Sequence, residues 1–355
     1  MVGHDKRGLQ GWPALQGGLL ALAAATLFGV STPLVQRAGS GLGPFTTAAL
    51  LYGGAAVMGA LMRRSVDREA SVRRADWRRI GWMALFGAVA GPVALAWGLQ
   101  HTSGTSASLM LALEALFTAV LARALYHEVM DRHVWAAMLL LLAGGLVLVA
   151  DRGMQGGVQL WGLLAVLGAT AAWGVDNTLS RGVAERDPGQ VVLAKSALGT
   201  AASALMAVLS AEPSPAVAAS LALLAVGATG YGLSLRLYLL AQRAFGAART
   251  GSVFAFAPFI GAAAAIALGD RMLSWGMAAG GLLMLAGVVL HLAEAHDHEH
   301  VHEALEHEHA HTHDDAHHTH AHEPMPSGPH SHWHRHDAVR HAHPHVPDAH
   351  HTHRH

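Results

Sequence analysis

Between residues 14 and 293 the chain alternates apolar stretches of roughly span length with short polar connectors. A helix needs about 20 apolar residues to cross the hydrocarbon of a bilayer. Stretches at 14–36, 42–62, 80–100, 105–125, 133–150, 159–181, 190–210, 217–240, 248–269 and 274–293 predict ten such helices. The first is preceded by Lys6 and Arg7 and so starts like a signal peptide. It runs on to Val35, however, and further spans follow, which predicts an uncleaved first helix. Residues 1–13 form a short N-terminal segment, and from 296 to 355 the pattern changes to a polar tail.

Composition sharpens this picture. The 355 residues are 52% hydrophobic and 13% charged, against about 25% charged in soluble domains. The net charge of −1 gives no electrostatic basis for binding nucleic acid. Cysteine is absent, which excludes disulfides, thiolate metal sites and cysteine nucleophiles. Basic residues also set an orientation. With the N-terminus in the cytoplasm, fifteen Lys and Arg fall on the inner side, seven of them at 63–79, and only Arg37, Arg152 and Arg271 lie in outer loops. This bias predicts a multi-pass protein of the bacterial inner (plasma) membrane with both termini cytoplasmic.

The halves 14–150 and 159–293 echo each other. At a shift of 145 residues, Gly17, Leu19, Leu22, Ala24, Gly29, Val30 and Leu34 meet Gly162, Leu164, Leu167, Ala169, Gly174, Val175 and Leu179. Leu142-Ala143-Gly144 is answered by Leu285-Ala286-Gly287. Five spans per half is an odd number, so the second half must be inverted relative to the first, an arrangement common among secondary transporters. Glycines four apart, Gly87 with Gly91 and Gly276 with Gly280, predict close helix contacts. Pro33, Gly91-Pro92 and Pro258 lie inside spans, where a missing N–H invites a kink or unwound backbone.

The stretches Thr105-Ser106-Ala107-Ser108, Phe117-Thr118-Ala119, Glu128 and Ala143-Gly144-Gly145 resemble the repeat of EamA-type drug/metabolite transporters. So do Gly246-Ala247-Ala248-Arg249-Thr250-Gly251, Ala257-Pro258-Phe259, Asp270 and Ala286-Gly287. The resemblance implies two five-helix inverted repeats and the movement of small metabolites. It covers 14–293 and leaves out the tail. One position departs from it: the fourth span has Glu114 where the family often has proline, whereas the repeat mate Pro258 keeps the proline.

An ionisable side chain in a span costs at least about 2.5 kcal/mol on insertion scales and is usually paired or turned to a cavity. Glu114 lies in the middle of the fourth span, where a carboxyl can carry a proton, bind a cation, or stay protonated against a neighbouring helix. Asp176 and Asn177 in the sixth span match the depth of Lys195 in the seventh, which predicts an Asp176–Lys195 ion pair, static or functional. Lys195 is the only lysine beyond the N-terminal segment. Arg236 in the eighth span is placed to snorkel or to meet a substrate carboxylate. His101, His127 and His133 sit at helix ends, and the tryptophans cluster near span boundaries as an interfacial belt.

The tail carries 23 histidines, largely as His-x-His, among acidic residues and prolines. It has too few large apolar residues for a core, which predicts disorder. Imidazole ligates zinc, nickel, cobalt and copper. His296, His298, His300, His302, His307, His309, His311, His313, His317, His318, His320 and His322 are therefore candidate ligands, acting collectively and without a unique site.

The sequence thus predicts an all-α membrane protein with a disordered tail. No Gly-x-Ser-x-Gly or phosphate loop is present, and His-Glu-x-x-His occurs only by alternation within the polar tail, at 298–302 and 307–311, so no enzymatic activity is expected and no cofactor is required. The leading expectation is a secondary transporter, an exporter of a small metabolite or drug-like solute coupled to protons. The alternatives are a transporter of divalent metal or a metal complex with the tail as capture or sensing element, and a membrane-anchored metal buffer. The expected partners are the lipid bilayer, a small-molecule substrate, a divalent metal and a second copy of the chain in a homodimer.

Overall fold

A computed structural model describes residues 11–63, 70–126, 132–183, 186–245, 247–292, 297–302, 305–311, 330–336 and 339–344. Among them the chain forms ten helical rods: α1 (Gly11–Ala38), α2 (Pro44–Leu61), α3 (Arg74–Leu99), α4 (104–126), α5 (Arg132–Gln155), α6 (Gly157–Ser180), α7 (Pro188–Leu209), α8 (217–245), α9 (247–254 and 257–267) and α10 (Trp275–Leu292). Eight of these are long and apolar enough to cross a membrane; the apolar pieces Ala257–Ala267 and Trp275–Leu290 are shorter. Leucines such as Leu19, Leu139, Leu146 and Leu282 and the tryptophans Trp77, Trp82, Trp135, Trp161 and Trp275 keep large exposed surface. Such an apolar exterior is what lipid requires and water penalises.

Bonds between connectors define two ends of the bundle. At one end Gln36 donates to the Leu99 and Thr102 carbonyls, Gln100 to Leu42, and Arg37 to Leu268. Glu212, beyond α7, accepts from the Phe45 and Thr46 amides at 3.1 and 2.7 Å and so satisfies the N-terminus of α2. At the other, arginine-rich end Arg186 pairs with Asp76 at 2.9 Å, the Gln190 side chain accepts from the Val72 amide, and Arg236 Nη1 donates to the Met62 carbonyl at 2.7 Å. Thus α1 finishes at the end where α6 begins, and the first helices of the two halves run in opposite directions.

Small residues let the backbones approach. A Cβ on Gly144 would meet the Gly280 carbonyl at 2.6 Å, and one on Gly98 would meet the Gly162 carbonyl at 2.7 Å. Both prolines of the broken spans mark a change of helix type. A π-helical turn at Ala84–Ala90 precedes Pro92, and α9 is interrupted at 255–256 before Pro258. Pro33, by contrast, is carried within a continuous α1.

Arg152 corrects a sequence expectation. It lies inside the last turn of α5, fully buried, and not in an outer loop. Its Nε donates to Ser106 Oγ at 2.8 Å, its Nη2 donates to the Met272 carbonyl at 2.8 Å, and Asp151 lies 3.8 Å from Nε. A fully paired guanidinium is tolerated where an unpaired one is not.

The tail gives a second correction. Expected to be disordered, its described residues form β1 (Asp297–His302), β2 (Leu305–His311), β3 (His330–His336) and β4 (Val339–Pro344). β1 pairs antiparallel with β4 and β2 with β3, and one register runs through both pairs. His-x-His alternation has the two-residue period of a strand.

Candidate functional site

The site is built where the two halves meet in the middle of the bundle. Asp176 of α6 and Lys195 of α7 form the ion pair expected from their matching depths, with 5% and 6% of their surfaces exposed. The pair is lodged against the π-helical turn of α3. A Cβ on Gly87 would run into the Asp176 carboxylate and meet Lys195 Nζ at 2.8 Å, so the pair in this position requires glycine there or must shift. The wide turn frees the Gly87 carbonyl, which accepts from the Tyr52 hydroxyl and, at 3.0 Å, from Trp173 Nε1. π-bulges occur often at functional sites.

Glu114 stands at a transition within α4. Residues 104–113 are buried on every face, and Leu111–Leu113 tighten into a 3₁₀ turn. From Glu114 through Leu121 no residue is buried. A helix flanked only by lipid on one side and protein on the other would alternate between the two states. This half of α4, towards the arginine-rich end, is therefore less tightly enclosed than the first, although Phe117 still packs on Gly174. Residues 235–240 of α8 have the same character. Glu114 accepts a hydrogen bond from Asn177 Nδ2 and lies within electrostatic reach of Asp176 and Lys195.

Rings complete the setting. Phe28 lies 6.0 Å from Trp173, 5.8 Å from Tyr231 and 5.5 Å from Phe254 between centroids, and Tyr52 lies 5.6 Å from Tyr231. Asp176 Oδ1 and Thr118 Oγ1 are buried atoms with no hydrogen-bond partner. A buried acceptor left without a donor carries a free-energy penalty that a ligand or proton can relieve.

Each half carries the same wide turn. The second is at Gly227–Leu233, 143 residues after the first, and a Cβ on its Gly230 would meet the Ser31 side chain at 2.5 Å. A family model for EamA-like transporters matches twice, over residues 15–150 and 160–293. The chain belongs to the EamA-like transporter family. One relative, an "Uncharacterized transporter" of Methanothermobacter thermautotrophicus, is 25% identical over 294 residues, covering 78% of this chain and 86% of that protein. A solved structure titled "Crystal structure of protein" superposes with a TM-score of 0.58 at 21% identity, covering 78% of this chain and 97% of that one. At that identity the likeness shows the fold. For this family member the comparisons place the chain among membrane transporters and leave the tail unaddressed.

Of the residues singled out from sequence, Asp176, Asn177, Lys195 and Glu114 come together in one cluster. Arg236 is engaged with the Met62 carbonyl at the arginine-rich end. His101 stacks on Trp97 at 4.1 Å, and His133 is exposed; His127 lies outside the described residues. Sequence reasoning missed Tyr52, Trp173 and the wide turn itself, and read Gly87 only as a close helix contact. The only signal for them was Gly87 and Gly91 ahead of Pro92. Among the described residues no group of three or more His, Asp or Glu is placed to hold a metal. His296, His313, His317, His318, His320 and His322 lie outside the described residues. His298, His300, His302, His307, His309 and His311 are described through their strand backbones only.

Proposed function

We propose that the protein is a secondary active transporter that exports a small metabolite or drug-like solute in exchange for protons, through two inverted five-helix repeats that together cross the membrane ten times. The observation that carries this reading is the Asp176–Lys195 pair held between α6, α7 and the wide turn of α3, beside a half-open Glu114. Charges placed so deep are costly and are retained where a solute or ion passes. With the arginine-rich end in the cytoplasm, the sealed α4 segment 104–113 closes the outer side, and the less enclosed half of α4 that begins at Glu114 is turned inward. Glu114 then exchanges a proton or cation, while Asp176, Asn177 and Lys195 shape the inner half of the path. Transport proceeds by rocking of one repeat against the other around this fixed site.

The test is flux in proteoliposomes under an imposed pH gradient. Wild type is expected to couple flux to the gradient, and Glu114→Gln to lose that coupling. Flux by Glu114→Gln with its full pH dependence removes Glu114 from the mechanism.

The histidine content of the tail supports a second reading, in which zinc, nickel, cobalt or copper is captured or sensed at the membrane. It predicts that deleting residues 296–355 changes cellular metal content; unchanged tolerance to all four metals removes this reading.

A further inference from the structure

The charge of the central cluster selects a class of solute. It contains two carboxylates, Glu114 and Asp176, and one ammonium, Lys195. Lys195 is bound to Asp176 Oδ2, leaving Asp176 Oδ1 buried and without a donor. The hydrogen-bond partner of Glu114 is the neutral Asn177. The cluster is therefore short of one positive charge and of N–H donors, and its Glu114 is only half-buried. Trp173, which shares the Gly87 turn with the pair, leads on to Phe28, half-buried and central to the ring group that includes Trp173 and Tyr231. Aromatic faces attract cations through their quadrupole, most strongly where water is excluded, and they bury an apolar body as well.

We infer that the site takes a monovalent organic ammonium ion with an apolar or aromatic body, its N–H groups directed to Glu114 and Asp176 Oδ1 and its body to the Phe28 ring group. This rests on the transporter reading above and names its substrate class. An anion meets a net negative cluster whose lysine is already paired. A zwitterion gains at the carboxylates and loses at the same lysine. A divalent hard cation wants six or more oxygens, and among the described residues no third carboxylate joins the cluster.

The test uses the full-length protein, purified in detergent, with four matched probes at pH 7: phenethylammonium, phenethyl alcohol, 3-phenylpropionate and phenylalanine. Calorimetry is expected to show phenethylammonium binding at least tenfold tighter than the other three, and Glu114→Gln to lose at least tenfold of that affinity. Equal or tighter binding of the alcohol, the anion or the zwitterion overturns the inference, as does binding of none. Should Glu114→Gln fail to fold, Phe28→Leu keeps both carboxylates and is expected to weaken phenethylammonium at least threefold; no change overturns the role of the rings. Gradient-driven flux of the same four probes in proteoliposomes separates the two readings. Flux of the anion or neutral probe alone leaves transport standing and removes the ammonium class. Selective binding of phenethylammonium without flux of any probe supports the class and counts against transport.

Discussion

The two repeats place corresponding residues at corresponding points and give them opposite chemistry. At a shift of 145, Phe28, Gly29 and Ser31 of α1 match Trp173, Gly174 and Asp176 of α6; at a shift of 143, Tyr52 matches Lys195 and the wide turn at Ala84–Ala90 matches Gly227–Leu233. Each wide turn presses its glycine on the first helix of the other repeat, Gly87 on Asp176 and Gly230 on Ser31. In one arrangement the contact is an ion pair with a spare carboxylate oxygen. In the other it is a Ser31 hydroxyl that donates to the Phe28 carbonyl at 2.6 Å and lies in hydrogen-bonding contact with Tyr231. Each repeat thus has a wide turn seated by a glycine on the other repeat, and only one of the two contacts is charged. The neutral copy seats a wide turn without an ion pair, and this contrast supports the functional reading of the pair proposed above.

The largest test of this comparison removes half of the pair. Lys195→Met leaves a buried carboxylate without its cation, a change that costs roughly 3–5 kcal/mol, and thermal unfolding should report a corresponding loss. The double variant Asp176→Ser with Lys195→Tyr installs the chemistry of the neutral repeat and should regain most of that stability while losing transport. If it transports, the charged pair is structural.

A smaller effect comes from the glycines. Gly87→Ala forces a methyl group into the Asp176 carboxylate and Lys195. Overpacking of this kind costs about 1–3 kcal/mol, and flux should fall well beyond what lost protein explains. Gly230→Ala crowds a neutral serine and should lower stability with a milder effect on flux. Equal flux defects would mean that the wide turns matter and the charge does not.

Next is Asp270, in the connector between α9 and α10, where α4 begins. Burial alone would raise its carboxyl, but hydrogen bonds from the Thr105 amide and hydroxyl at 2.9 and 2.8 Å and from the Met272 amide at 3.0 Å outweigh it and hold the group below the usual carboxylate range. A group depressed on folding contributes stability above its unfolded value, near 3.9, and loses it as pH falls through the folded value. Asp270→Asn should lower the midpoint of unfolding at pH 7 by the equivalent of about 1 kcal/mol, as for a lost helix cap, and flatten the loss of stability in acid. The smallest expected effect is Trp173→Phe, which deletes one hydrogen bond to the Gly87 carbonyl, about 0.5–1.5 kcal/mol. Its flux defect should exceed that of Phe28→Leu only if the wide turn must be held open.

The span lengths, the repeat and the family are legible in the sequence because each depends on order along the chain: apolar length fixes a crossing, and small residues recur in register. Depth was legible too, which is why Asp176 and Lys195 could be matched. Rotation was not. Successive residues of a helix point about 100° apart, so Asp176 turns to Lys195 while its neighbour Asn177 turns to Glu114. A turn of π-helix then changes which face of α3 arrives at the pair. Arg152 was misplaced for a related reason, since a charge near a helix end reads as exposed until Ser106 and Met272 are seen to enclose it. The one-dimensional pattern determined which segments enter the membrane and which residues are too polar for it. Tertiary packing alone decided which of those residues meet, because that depends on helix rotation and backbone register, which local composition does not encode.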